Sequence, residues 1–297
     1  VYSYLLDIKS RVKESTYAHY VFVCEKHLLP YFKGCKANRL NTDVLNQFVT
    51  FKLERGGVKG TPLSAKTVSD IVCILTHILK KQCNLSFDID KPGIKQPEIF
   101  VLSDKDYERM LSSLFIGTDT KSLGLMIAML TGLRLGELCA LQWQDFDFDN
   151  EVIYITKTLQ RLKVTDKSDN RKTKIIINAP KSEASIRLVP IPSVLIAKLK
   201  EFKHYDKTYV LTGTMKHMEP RNYQTYFKKI LKKFHLQDNK FHILRHTFAT
   251  RAIAKGMDLK TLSVILGHTD VSFTMKMYVH PTLEQKKAQI EKVAVNF

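Results

Sequence analysis

With 297 residues, 44% of them hydrophobic, the chain has the length of two domains and ample material for a core, which excludes a purely disordered tail. Forty-seven Lys and Arg against 29 Asp and Glu give a formal charge of +18 spread over the whole chain, so folded surfaces carry it and their natural partner is a polyanion, nucleic acid first. No run approaches the roughly 20 apolar residues of a membrane span, and Cys24, Cys35, Cys73, Cys83 and Cys139 are scattered without a C-x-x-C pair, which disfavours disulfides, zinc and a secreted or membrane protein.

In chain order, the first stretch reads as helices. Apolar residues recur three and four apart at Tyr17, Tyr20, Val21 and Cys24, and again at Val44, Phe48, Phe51 and Leu53. A further helix is predicted from Lys66 to Leu79, with breaks at Gly56-Gly57 and Gly60-Thr61-Pro62. Thirteen Lys and Arg against eight Asp and Glu make residues 1–90 a modestly basic helical bundle. Residues 91–98, with two prolines and a glycine, read as a linker.

Ser103-Asp104-Lys105-Asp106 has the form of a helix N-cap with an acidic first turn. Helices are predicted over 122–130 and 133–141, parted by Thr131-Gly132. Alternation at Val152, Tyr154 and Thr156, then β-branched runs at 175–177 and 186–191, mark the strand-rich part. Between them residues 161–174 read as a long basic hairpin carrying Arg161, Lys163, Lys167, Arg171, Lys172 and Lys174. Helices return from Ser193, one of them presenting Lys228, Lys229, Lys232 and Lys233 on its polar side. The chain opens on Val1 rather than Met, which reads as a fragment or processed product missing an N-terminal module.

Three clusters carry candidate chemistry. In Thr131-Gly132-Leu133-Arg134-Leu135-Gly136-Glu137-Leu138, Arg134 follows a helix break; a cation there opposes the helix dipole unless an anion shares the site, and Glu137 is placed to orient it. In His242-Ile243-Leu244-Arg245-His246-Thr247, His242 and Arg245 share a helical face and fit two oxygens of one phosphate, whereas His246 lies about 100° around the helix and is assigned to packing. The third is Leu266-Gly267-His268 with Tyr278 ten residues on. Each alone has an ordinary reading as surface arginine, core histidine or packing tyrosine. His280 lacks a second metal ligand at useful spacing, and Asp145, Asp147 and Asp149 read as an acidic turn rather than a two-metal nuclease.

The ordered set Arg134, Lys181, His242-x-x-Arg245, Leu-Gly-His268 and Tyr278 resembles the tyrosine recombinase (phage integrase) family, most closely its conjugative-transposon or phage integrases. Leu244-Arg245-His246-Thr247-Phe248-Ala249-Thr250 is close to that family's most recognisable segment, and Lys181 in Pro180-Lys181-Ser182-Glu183 stands where the family has a lysine on a β-hairpin turn. Departures are the lengthened segment before Lys181 and Lys240-Phe241 where a proline often precedes the histidine.

The resemblance implies a mainly α fold with a small antiparallel β-sheet: a helical, SAM-like core-binding domain (1–90), the linker (91–98), a catalytic domain (99–281) and a C-terminal tail helix (282–297) either exchanged between protomers or packed on its own domain, the two domains clamping duplex DNA. It implies a site-specific recombinase acting through a covalent 3′-phosphotyrosine and a Holliday junction, integrating and excising a mobile element. Tyr278 would be the nucleophile, Arg134 and Arg245 the phosphate clamp, Lys181 the acid for the leaving 5′ oxygen, His242 the acceptor of the tyrosine proton and His268 a donor to the phosphate, with Glu137 in support. Arg161, Lys163, Arg171, Lys172, Lys174, Lys228 and Lys232 would contact DNA. No metal or ATP is expected. The implied partners are double-stranded attachment sites, other protomers of a synaptic tetramer and an excision or DNA-bending accessory protein, in the bacterial cytosol. A type IB topoisomerase-like relaxation activity and a non-catalytic DNA-binding protein are the alternatives.

Overall fold

In the computed structural model the described residues are 1–94, 99–166, 169–179 and 183–278, with Lys287, Ile290 and Glu291. The chain divides into two units: Val1–Pro97 together with Leu162–Lys174, and Glu98–Arg161 together with Ile175–Phe297.

The first unit is helical. Helix α1 (Tyr2–Ile8) is followed by α2 (Glu14–Val23), which runs through a π-helical turn (Cys24–Leu28) into the single turn α3 (Leu29–Tyr31). Helices α4 (Thr42–Arg55) and α5 (Ala65–Cys83) start where Asn41 and Ser64 accept backbone N–H groups of Val44 and Thr67. Val68, Ile71, Val72, Leu75, Ile78 and Leu79 of α5 are buried against Leu45 and Phe48 of α4. The buried face of α4 is turned from the one predicted: Leu45, Phe48, Val49 and Lys52 point inward, and Phe51 is exposed. Lys52 tolerates this because its ammonium lies over the rings of Tyr31, Phe48 and Phe51, 5.2–5.9 Å from their centroids.

The hairpin segment grouped with this unit, Leu162–Lys174, is less free in charge than its sequence implies. Lys163 lies 4.1 Å from the centroid of Phe22, and Lys174 pairs with Glu14 at 2.5 Å.

The second unit opens with α6 (Asp104–Ile116), α7 (Thr120–Thr131) and α8 (Leu135–Ala140). Helix α7 is apolar all round, with Leu123 and Leu125–Met129 fully buried, so it forms the axis of this unit. Strands β1 (Phe146–Asp147), β2 (Val152–Ile155), β3 (Thr158–Lys163), β4 (Thr173–Asn178) and β5 (Arg187–Pro190) follow. Three of them make an antiparallel sheet in the order β1-β2-β5, with Ile153 opposite Val189 and Ile155 opposite Arg187; β3 and β4 form a separate ribbon. Helices α9 (Ser193–Phe202), α10 (Pro220–Lys233), α11 (His242–Ala254), α12 (Leu259–Leu266) and α13 (Val271–Tyr278) complete it. The fold class is therefore the expected one, mainly α with small antiparallel sheets.

The acidic run is a turn: Asp145 accepts the Gln142 N–H and pairs with Lys157, and Asp147 accepts from Asn150. Among the described residues no helix is long and apolar enough to cross a membrane, and no group of His, Cys, Asp or Glu is arranged to hold a metal ion. The predicted tail helix falls outside the described residues except for Lys287, Ile290 and Glu291, which are helical. The Ser103 hydroxyl caps α6 by accepting the Asp106 N–H at 3.1 Å. Replacing it (Ser103→Ala) is expected to cost about 1 kcal/mol, seen as a lower urea midpoint with unchanged slope.

Candidate active site

The site is built outward from a buried carboxylate. Helix α7 ends at Gly132, whose φ of 67° is left-handed; a Cβ there would sit 2.6 Å from Cδ1 of Phe248, so both backbone and space require glycine. Two residues later Arg134 is the N-cap of α8. Its backbone N–H and its Nη1 donate to the two oxygens of Glu137, at 2.9 and 2.8 Å. The same carboxylate takes a two-pronged bond from Arg187 on β5, Nη1 to Oε1 at 3.0 Å and Nη2 to Oε2 at 2.9 Å. The Arg187 and Glu137 side chains are 3% and 2% exposed. Burial raises the Glu137 pKa, and the hydrogen bonds and charge of Arg187, then the charge of Arg134, more than offset it, so the group is held below its ordinary value and stays ionised.

A second set of contacts comes from the turn after α12. Arg187 Nε donates to the Ile265 carbonyl at 2.6 Å, Arg245 Nη2 to Leu266 at 2.6 Å, and Arg134 Nη2 to Gly267 at 3.0 Å. Three consecutive carbonyls thus hold three guanidinium groups. Gly267, φ 64°, allows the turn, and a Cβ on it would press on Arg187 Cδ at 3.0 Å. Arg245 also donates from Nη1 to the Gly132 carbonyl at 3.0 Å. Burial, then the charge of Arg134, lower its pKa to about 9, and it remains a cation at neutral pH.

His268 lies between this cluster and α13. Its Nε2 is 2.8 Å from Arg245 Nη2 and its Nδ1 is 2.7 Å from Thr274 Oγ1. A guanidinium only donates, so Nε2 is the acceptor and the ring proton sits on Nδ1, directed at Thr274. In this arrangement Nε2 has no proton to give a phosphate; the expected donor role would require His268 to turn or be protonated. Burial, followed by Arg245, Arg134 and Arg187, pushes its pKa down to about 3.

Tyr278, the last residue of α13, is 7% exposed. Its hydroxyl lies 2.9 Å from His246 Nδ1, and the His246 ring stands edge-on to that of His242, centroids 4.6 Å apart. This corrects the assignment of His246 to packing: α13 crosses α11 on the side where His246 projects, and the hydroxyl meets it there. His242 keeps a solvent-exposed edge. Burial raises the Tyr278 pKa, while Arg245 and Arg134 pull it down. Desolvation and then Arg245 lower His246; His242 is lowered by desolvation, then by His246, Arg245 and Arg134.

The structure therefore brings together Arg134, Glu137, His242, Arg245, His268 and Tyr278, and adds Arg187 and His246. Lys181 lies outside the described residues. The expected DNA contacts are dispersed: Arg161 pairs with Glu219 at 2.6 Å, Arg171 with Asp169 at 2.8 Å, and Lys228 with Asp238 at 2.7 Å, while Lys172 and Lys232 are exposed. Exposed pairs of this kind are worth about 0–1 kcal/mol and yield readily to a phosphate.

Residues 101–285 match the model of the phage integrase family, and residues 1–53 that of the phage integrase N-terminal SAM-like domain. The chain belongs to the phage integrase family. A XerC-like tyrosine recombinase of Caldanaerobacter subterraneus subsp. tengcongensis is 35% identical over 213 residues, 66% of this chain but only 54% of that relative's length. The solved integrase of transposon Tn1549, in complex with transposon right-end DNA, superposes with a TM-score of 0.75 at 22% identity over 98% of both chains. A lambda integrase tetramer bound to a Holliday junction gives 0.66 at 16% identity, over 93% of this chain and 75% of that one.

Two outcomes test this geometry. Arg187→Ala leaves Glu137 buried with half of its counter-charge, and chemical denaturation should show a loss of about 3–5 kcal/mol. His268 titrates near 6.5 when unfolded and near 3 when folded, so across that window the unfolded chain binds the extra proton and stability falls as pH falls. The melting temperature of the second unit should drop from pH 7 toward pH 4, and His268→Asn should flatten that slope.

Proposed function

We propose that the chain is a site-specific DNA recombinase that cuts and rejoins strands through a covalent tyrosine intermediate, serving integration and excision of a mobile element. The observation that carries this is the pairing of Arg134 and Arg245, anchored on the adjacent carbonyls of Gly267 and Leu266, with the buried hydroxyl of Tyr278 within their electrostatic reach. Two fixed guanidiniums suit a phosphate whose non-bridging oxygens gain charge in the transition state. Tyr278 attacks the phosphorus, a 3′-phosphotyrosine forms and the 5′ oxygen leaves, taking a proton from Lys181. The bond energy is kept in the covalent intermediate rather than lost to hydrolysis. The arginines and the lysine supply the positive charge that a metal ion gives in other phosphoryl transfers, so neither metal nor ATP takes part.

The substrates are double-stranded attachment sites, recombined within a tetramer of protomers with an excision or DNA-bending protein as accessory. The Tn1549 integrase in complex with transposon right-end DNA and the lambda integrase tetramer on a Holliday junction support the DNA and the tetramer in this reading. Arg161, Lys163, Arg171, Lys172, Lys174, Lys228 and Lys232 hold the DNA backbone, which makes binding steeply salt-dependent.

The test is incubation with a nicked suicide DNA carrying the attachment site, followed by denaturing electrophoresis. A covalent adduct should form in EDTA, vanish in Tyr278→Phe, and fall by at least about 100-fold in Arg134→Ala and Arg245→Ala while DNA binding persists. An adduct in Tyr278→Phe sinks the nucleophile; dependence on a divalent ion sinks the mechanism. Relaxation of supercoils without exchange between two sites would favour the topoisomerase alternative.

A further inference from the structure

A tyrosine hydroxyl is a poor nucleophile at neutral pH, so the base that relieves it of its proton sets how fast a strand can be cut. The expectation gave that task to His242. The geometry gives it to another residue. Tyr278 Oη is 2.9 Å from His246 Nδ1, within the hydrogen-bond reach that a general base requires. The His242 ring stands edge-on to His246, centroids 4.6 Å apart, and it is His246 that bonds to the hydroxyl.

We propose, resting on the reading of Tyr278 as nucleophile, that His246 is the catalytic base for strand cleavage and that His242 positions its ring. The step balances. With the His246 proton on Nε2, the Tyr278 O–H donates to Nδ1. As the bond from Oη to phosphorus forms, that proton passes to Nδ1 and the ring becomes imidazolium. The P–O5′ bond breaks and the 5′ oxygen takes a proton from the Lys181 ammonium. Rejoining runs the same transfers backwards, His246 returning its proton to the tyrosine oxygen.

The groups around the pair are consistent with this. On α11 the neighbours of His246 are Arg245 and His242; from α13 comes Tyr278; from the N-cap of α8 the charge of Arg134 reaches Tyr278. Burial raises the Tyr278 pKa and the two guanidiniums only partly offset it, so the hydroxyl needs a base; desolvation and then the Arg245 charge lower His246, which favours the unprotonated ring that a base needs. An imidazolium formed beside Arg245 is also a strong acid, suited to the return of the proton.

The experiment is single-turnover cleavage of the nicked suicide DNA from pH 6 to about 10 by the full chain and by His246→Asn and His246→Ala, with DNA binding measured in parallel. Asparagine keeps a hydrogen-bonding atom near the position of Nδ1 but takes no proton. Both variants should bind DNA normally and cleave roughly 100-fold more slowly at pH 7. Their rates should then climb by up to about tenfold per pH unit, narrowing the deficit as the phenol ionises without help, an ionisation that burial pushes above the ordinary tyrosine range. Substrate with sulfur in place of the bridging 5′ oxygen needs no proton on its leaving group, so it should restore Lys181→Ala and leave the His246 variants slow. A parental rate in His246→Asn, a deficit of equal size at every pH, or rescue by the sulfur substrate would each overturn the assignment. Tyr278→Phe runs alongside: an adduct there would remove the nucleophile reading itself, whereas no adduct there with a fast His246→Asn removes only the base.

Discussion

The second unit depends on one buried carboxylate. Glu137 would be costly to bury alone, and Arg134 and Arg187 both bind it. Those arginines come from the start of α8 and from β5, and Arg187 extends the connection to the Ile265 carbonyl at the end of α12. One charge therefore fixes three elements that are far apart in sequence. Arg134 is held in place by Glu137, and its side chain stays one-third exposed.

Helix α11 has the complementary task. Thr247 accepts the buried Leu102 N–H and ties the helix to the segment before α6, while Arg245 and His246, adjacent in sequence, diverge by the angle of one helical step. Arg245 goes to the turn after α12 and His246 to the end of α13. One helix thus contacts both the turn that holds the guanidiniums and the tyrosine, and the separation of Arg245 from His246 is set by helix geometry.

Much of this was legible in the sequence. The breaks at Gly132 and Gly267, the cap at Ser103, and the order Arg134, His242, Arg245, His268 and Tyr278 gave the elements and most of the site. Arg187 was not legible. Between Ile186 and Leu188, alternation assigns the apolar neighbours to the core, yet both are exposed and the arginine points in. Only the buried partner, Glu137, explains the inversion, and nothing local announces it. His246 was missed because a helical wheel considers one helix, and its partner lies on another. The basic hairpin showed its charges but not their partners: Glu14 and Glu219 lie far away along the chain.

Of the three guanidiniums at the turn after α12, Arg134 and Arg187 bind one carboxylate, and Arg245 is bonded to dipoles, two carbonyls and an imidazole nitrogen. Among the described residues, positive potential is therefore concentrated at this arginine cluster without a matching carboxylate for each charge. The protein's free energy falls whenever an anion settles there, so folding and anion binding are thermodynamically linked. Sulfate or inorganic phosphate will protect the second unit against heat in the way a ligand does, and the concentration at which protection saturates measures the affinity of this cluster for one anion.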